Sequence, residues 1–117
     1  MGYNKELEDK IDHHFIDESN LTKKKQMGGV GWLLKGNMCC GVYEDLLVVR
    51  IESYYATSII KKPGVEKFGV KDDPDDSFIS LVKDIYSHPK ALDKFLTNAY
   101  EYTATLPPKN RSGIRRN

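Results

Sequence analysis

The amino-acid sequence predicts an α+β domain in which helices flank a central antiparallel sheet. Three observations support this prediction. Apolar residues recur at helical spacing near both ends of the chain, and turn-forming residues divide the apolar stretch between residues 28 and 51 into short strands. The composition is 39% hydrophobic and 30% charged over 117 residues, which is typical of one soluble globular domain. The net charge of +1 provides no overall field that would draw the chain to nucleic acid or to a membrane.

The first element is an amphipathic helix. Leu7, Ile11 and Phe15 recur at every fourth position with charged residues between them, which presents one apolar stripe to a core. Turn-forming residues at 17–20 predict its end. We interpret the basic run 23–25 as a linker that leads to the glycines at 28–31.

A three-stranded meander follows, built from "VGWLLK", "MCCGVY" and "LLVVRI". Gly36-Asn37 is a two-residue signal for a tight hairpin, and Glu44-Asp45 separates the second strand from the third. The glycines 28–31 raise the alternative of a phosphate-binding loop. Such a loop needs a strand before it and a helix after it, so we interpret the glycines as a turn entering the sheet.

These turns predict that Lys35 pairs with Met38, Trp32 with Gly41, and Tyr43 with Leu46. Because side chains alternate along a strand, the pairing divides the meander into two faces. We expect one face to be core: Leu33, Met38, Cys40, Val42, Leu47, Val49 and Ile51. The other face is too apolar to lie fully in water, and we predict a partner surface there, formed by Trp32, Leu34, Tyr43, Leu46, Val48 and Arg50.

The C-terminal half contains a short helix, from a cap at Ser53 to Lys62, which Pro63-Gly64 ends. "VEKFGV" is a possible strand, and "DDPDD" at 72–76 is a turn by composition. Residues 77–86 fit either a strand or a helix. Pro89 begins the last helix, and the domain reaches residue 109 before a basic, flexible tail at 110–117.

No catalytic constellation is visible in the sequence. His13 and His14 are adjacent, without the four-residue spacing that directs two imidazoles to one metal. Cys39 and Cys40 should point to opposite faces of a strand as buried, reduced thiols. No apolar run approaches the roughly 20 residues of a membrane-spanning helix. We expect a cytoplasmic protein that is not an enzyme and has no metal, cofactor or membrane partner.

The basic residues offer a second function class, a nucleic-acid-associated factor with weak sequence preference. The candidate phosphate contacts are Lys23, Lys24, Lys25, Lys109, Arg111, Arg115 and Arg116.

One stretch, "KKKQMGGVGWLLKGNMCCGV", resembles the start of the TfoX N-terminal domain family. Members carry a basic pair, Met-Phe-Gly-Gly, a hydrophobic strand, Gly-Asn-Met and a further glycine. The end "LTNAYEYTATLPPK" is similar to the family's final helix and its Leu-Pro-Pro-Lys ending. The matching motif residues are Met27, Gly28, Gly29, Gly36, Asn37, Met38, Gly41, Leu106, Pro107, Pro108 and Lys109. Two features depart from the family: Gln26-Met27 replaces Met-Phe, and the acidic "KDDPDDS" replaces a basic loop.

The resemblance implies a helix, a three-stranded antiparallel meander, a helix, two strands and a C-terminal helix, an architecture like that of secretion chaperones. It favours a strand at residues 78–81. Relatives are regulators of natural competence, thought to act with the transcription machinery, and the family has no established catalytic residues. We therefore expect a stand-alone regulatory or protein-interaction module whose partner is another protein or a second copy.

Overall fold

A computed structural model of the chain describes residues 2–26, 28–69 and 77–108. Its secondary structure is α+β, with helices on either side of the strands in the chain order, as predicted. The helices are α1 (Lys5–His14), α2 (Ser53–Ile59), α3 (Lys83–Tyr86) and α4 (Pro89–Ala104). The strands are β1 (Leu21–Gln26), β2 (Gly29–Leu34), β3 (Asn37–Tyr43), β4 (Leu46–Arg50), β5 (Val65–Lys67) and β6 (Phe78–Leu81).

The strands form one sheet in the order β1-β2-β3-β4-β6-β5, with every neighbouring pair antiparallel. The meander therefore has four strands rather than three. The run predicted as a basic linker, 23–25, belongs to the edge strand Leu21–Gln26, which pairs with β2. The prediction missed it because five of its six side chains are exposed, and a strand exposed on both faces has no apolar alternation.

One face of the sheet, which we call the helix face, holds the main core. Alternate strand residues such as Val30, Val42 and Leu47 pack in one cluster with residues of α1 and α4. Pro89 lies in the first turn of α4, as expected, and Leu92, Leu96 and Ala99 are buried along that helix. From α1 the cluster receives Leu7 and Ile11, which confirms its predicted apolar stripe.

The first hairpin turn lies one residue earlier than predicted. Leu34 pairs with Asn37, so the turn is Lys35-Gly36, and Lys35 and Gly36 have φ values of 53° and 83°. Positive φ at both central residues is the requirement of a type I′ turn, and Gly36 meets it without a steric penalty. The second turn, Glu44-Asp45, confirms the prediction, because Tyr43 pairs with Leu46 and Gly41 with Val48.

A β-bulge in β3 changes the predicted faces. Trp32 pairs with Cys40 and Leu33 with Met38, so Cys39 is the additional residue opposite β2. The predicted pairing of Trp32 with Gly41 was wrong. Leu33 and Met38 therefore lie on the far face, opposite the helix face, and are only partly buried rather than core.

The ambiguous segment contains both structures in succession. Residues Phe78–Leu81 form the strand β6, as the family resemblance indicated, and α3 begins two residues later. Helix α2 begins at Ser53 with Glu52 as its cap residue, and it ends at Ile59 before Pro63-Gly64. The cap residue therefore lies one position before Ser53, the residue predicted for this role.

The amino end of α1 is fixed to the turn between β3 and β4. Asn4 caps the helix by accepting from the Leu7 amide at 2.9 Å, and its own amide donates to Asp45 Oδ1 at 2.9 Å. The Tyr86 hydroxyl donates to the Asp45 carbonyl at 2.7 Å. Helix α1, the second hairpin turn and α3 thus share one polar junction.

Several predictions concern residues outside the described ranges. They are Met27, the "DDPDD" turn at 72–76, Lys109, Arg111, Arg115, Arg116 and the tail at 110–117.

Candidate interaction surfaces

Most of the predicted partner surface is buried within this chain. Trp32, Leu34, Val48 and Arg50 are each 3% exposed or less. The prediction placed them on one face, but the bulge puts Trp32 on the helix face, where its indole Nε1 donates to Asp12 Oδ1 at 3.1 Å. Of the predicted set, only Tyr43, which is 39% exposed, and Leu46, which is partly exposed, remain accessible.

Arg50 has an interior role. Its Nε donates to the Met38 carbonyl at 2.7 Å and its Nη1 to Ser77 Oγ at 3.3 Å, and its guanidinium lies 4.3 Å from the centre of the Phe78 ring. These contacts connect β4 to the bulged strand β3 and to the entry of β6. The residue that the sequence suggested for a partner surface instead stabilises the far face of the sheet.

The bulge also brings the two cysteines together. Cys39 and Cys40 are free thiols, both fully buried and both in the core cluster of the helix face. Burial, with the neighbouring Cys39, raises the pKa of the Cys40 thiol well above its ordinary value. The expectation of opposite faces was wrong, because a bulge interrupts the alternation of side chains.

The accessible charged feature of the sheet is β1, which we call the basic edge (Leu21–Gln26). Lys23 lies toward α1 on the helix face, where its Nζ is 2.8 Å from Glu8 Oε2 and 2.7 Å from Asp12 Oδ2. It also lies 5.5 Å from the Trp32 ring centre. Burial by itself lowers the pKa of Lys23, but the two carboxylates outweigh that effect and raise it above 10.5.

Glu8 is the buried member of this ion pair, 5% exposed on the inner side of α1. Burial alone would raise the pKa of its carboxyl, but the hydrogen bond from Lys23 helps to lower it below the ordinary 4.5. The pairing fastens β1 to α1, and it leaves Lys23 engaged by two carboxylates. Lys24 and Lys25 are exposed, and no ion pair joins them to another described residue.

The two motifs behind the family resemblance meet in space. Asn37, fully buried at the start of β3, donates from its side-chain amide to the Pro107 carbonyl at 2.8 Å. The Gly-Asn-Met hairpin therefore holds the Leu-Pro-Pro segment that follows α4. We call this contact the Asn37 clasp. It gives a structural reason for both motifs, although they lie 70 residues apart.

The glycines form the floor of a cleft on the far face. Gly31 and Gly41 face each other across β2 and β3, and the Met38 side chain lies over both. The cleft has a volume of about 220 Å³ and reaches Tyr43 and Phe68. No helix begins at Gly28–Gly31; Gly28 lies in the turn between β1 and β2, with φ at 81°. The interpretation of these glycines as a turn into the sheet is confirmed.

A triad-like arrangement joins α1 to α4, and no pattern in the sequence predicted it. His14 Nδ1 lies 3.0 Å from Asp93 Oδ1, and its Nε2 lies 3.2 Å from Thr97 Oγ1. A nucleophilic triad has the same order of acid, base and hydroxyl. Here, however, the Asp93 side chain is 65% exposed and Thr97 is exposed on a helix, so water competes for each group. We interpret the set as a polar tie between two helices.

The described ranges lack two features. They contain no group of three or more histidine, cysteine or acidic side chains arranged to hold a metal ion. None of the described helices has the length and apolar character needed to cross a bilayer.

Fold and surface together define a small α+β domain. Its antiparallel sheet is packed by helices on one face and has a lysine-rich strand at one edge. The family model for the TfoX N-terminal domain matches residues 14–103, which is more than half of the 117 residues. The chain therefore belongs to the TfoX N-terminal domain family. Comparison with curated proteins and with solved structures found no match for it.

Proposed function

We propose that this protein is a non-enzymatic regulatory module of the cytoplasm that acts by binding another protein. The observation that carries the proposal is the basic edge, a six-residue strand with five exposed side chains at the border of the sheet. Membership of the TfoX N-terminal domain family supports a role in the regulation of competence, through partners that belong to the transcription machinery.

The proposal leaves the reactive residues with structural roles. Cys39 and Cys40 lie in the core, and burial keeps the Cys40 thiol protonated. His14 is held between Asp93 and Thr97, which ties α1 to α4.

The arrangement of the lysines favours a protein partner over nucleic acid. Lys23 is already bound by two carboxylates. Lys24 and Lys25 are consecutive strand residues, so their side chains leave opposite faces of the sheet. A duplex lying on one face could be reached by only one of them, and thus the alternative function has no particular observation in its favour.

Most of the surface expected for a homodimer through the meander is buried within the chain. Tyr43 and Leu46 remain accessible, but the rest of that set is interior. Light scattering at several concentrations tests self-association directly, and a monomer at tens of micromolar would exclude this version.

The test of the proposed function compares two baits. The wild-type protein and a variant carrying Lys24→Glu and Lys25→Glu are immobilised and exposed to cytosol of the source cell. Both substitutions are at exposed positions without ion pairs, so the variant should fold normally, which circular dichroism checks. We expect a defined protein that the wild type retains and the variant loses. Identical protein sets on both baits would refute a role for the basic edge.

A further inference from the structure

The basic edge presents backbone hydrogen-bonding groups as well as charge. Among the described residues, β1 pairs only with β2, and its six-residue register runs without a bulge. The two-residue turn Lys35-Gly36 makes Leu34 and Asn37 a hydrogen-bonded pair, so Leu34 directs its backbone groups to β3. The direction alternates along β2, so Gly31, the partner of Lys24, directs its groups to β1. By this alternation, Lys24 bonds inward to β2, whereas Lys23 and Lys25 direct their N–H and C=O groups outward.

A separate contact supports the same alternation. Leu21 alternates with Lys23 and Lys25 along β1, so its backbone groups point to the same side as theirs. Its amide donates to the Glu18 carbonyl at 3.4 Å instead of to β2. The outward groups of Lys23 and Lys25 thus supply two donors and two acceptors at the border of the sheet. An added strand needs such a row of groups.

Charge decides which strand could occupy this border. Proteins guard exposed edges with lysine, with proline, with bulges or with a covering element. Strand β1 contains no proline, its register has no bulge, and lysines occupy half of its six positions. Charge therefore disfavours a basic strand at this edge and favours an acidic one.

A second copy of this chain fits the border poorly. Antiparallel pairing of β1 with another β1, centred on Lys24, places Lys24 opposite Lys24 and Lys23 opposite Lys25. Like charges directly opposite in a sheet are destabilising. The exposed lysines also favour a strand that lies in the plane of the sheet. The side chain of Lys24 projects from the far face and that of Lys25 from the helix face, and a strand with two consecutive carboxylates can reach both.

We propose that the basic edge binds an extended acidic segment of a partner protein by β-strand addition, with consecutive Asp or Glu side chains paired to Lys24 and Lys25. The inference rests on the proposed function and specifies the chemistry of the partner. Lys23 stays with Glu8 and Asp12, so its contribution is its outward backbone groups.

The test uses a fluorescein-labelled peptide of about eight residues, within the usual length of a strand, with the sequence Thr-Val-Thr-Glu-Glu-Thr-Val-Thr. Its matched control has Lys-Lys in place of Glu-Glu. Fluorescence anisotropy measures binding to the purified protein at low and at high salt. We expect the acidic peptide to bind about tenfold more tightly than the basic one, because two cross-strand pairs change sign between them. High salt should reduce the difference.

Two variants distinguish the contribution of the backbone N–H group to binding from that of the lysine charge. Lys25→Pro removes an outward N–H and should abolish binding without a loss of folding, because a proline is tolerated where an edge N–H faces solvent. Lys25→Ala is the matched control, which removes the same charge but keeps the N–H, and it should weaken binding only in part. The pair Lys24→Glu with Lys25→Glu should reverse the preference, so that the basic peptide binds more tightly.

Several results would overturn the inference. One is equal affinity for both peptides, and another is full binding by Lys25→Pro. Displacement of the peptide by duplex DNA would assign the lysines to nucleic acid, and a wild-type dimer that Lys25→Pro dissociates would assign the border to a second copy. If the peptide fails while the pull-down still distinguishes the two baits, the inference falls and the proposed function stands.

Discussion

The two facing glycines of the cleft differ in the space around them, and this difference predicts opposite effects for the same substitution. An added Cβ on Gly41 would lie 2.7 Å from the Val30 carbonyl oxygen and 2.8 Å from Met38 Cε. A Cβ on Gly31 would meet Met38 Sδ at 3.4 Å, which is an ordinary contact. Gly41→Ala should therefore strain the sheet, and Gly31→Ala should fit.

The magnitude follows from two opposing effects. Replacing a strand glycine by alanine gains about 0.5–1 kcal/mol, because glycine loses more conformational freedom on folding. Overpacking costs about 1–3 kcal/mol, and the upper end applies to Gly41 because a backbone carbonyl in a sheet cannot swing aside. We expect Gly41→Ala to destabilise by about 2 kcal/mol and Gly31→Ala to stabilise by about 0.5 kcal/mol.

Thermal unfolding followed by circular dichroism measures the difference. For a domain of this size 1 kcal/mol shifts Tm by about 4 °C, so the two variants should differ by about 10 °C. Adding Met38→Ala to Gly41→Ala should restore only part of the loss, because the contact with the Val30 carbonyl persists. Equal Tm values for the two glycine variants, or full restoration by Met38→Ala, would refute the reasoning.

Three further predictions concern the turn, the clasp and the ion pair. Lys35→Asn should stabilise the protein by about 0.5–1 kcal/mol in urea unfolding, since asparagine tolerates positive φ better; an unchanged midpoint would contradict this. Asn37→Ala should destabilise by about 1–2 kcal/mol and make the segment around Pro107 a preferred site of limited proteolysis, whereas wild-type cleavage kinetics would argue against the clasp. The lowered pKa of Glu8 means that its charged form stabilises the fold above the ordinary pKa of 4.5 and that this contribution is lost as the pH falls through the lowered, folded-state value. The stability of wild type relative to Glu8→Gln, measured by urea unfolding from pH 7 downward, should therefore shrink in acid; a constant difference would be inconsistent with the shift.

Local chemistry accounts for the elements that were predicted correctly. The apolar stripe of α1, Pro89 at the start of α4 and the turn at Glu44-Asp45 each depend on residues within a few positions of one another. Strand β1 was missed because no local pattern marks it. Its exposed lysines have no periodicity, and the strand exists because the hairpin at Gly28 brings it against β2.

The candidate site was less predictable than the fold. A single additional residue, Cys39, shifts the alternation of β3, and this moves Trp32 into the helix face while Met38 goes to the far face. The effect is large because side chains have a period of two, so that one inserted residue exchanges the faces of everything beyond it. The burial of Arg50 beside Phe78 likewise depends on a strand that comes 28 residues later.

By itself the sequence determined the α+β class, the amphipathic helices, the turn at Glu44-Asp45 and the family to which the chain belongs. Only the tertiary structure decided which lysines are free. Lys23, Lys24 and Lys25 are equivalent in composition, but the packing of α1 gives the first of them two carboxylates and leaves the other two exposed. The physical reason is that charge pairing depends on distance in space, and the partners of Lys23 come from another element, 11 and 15 positions earlier in the chain.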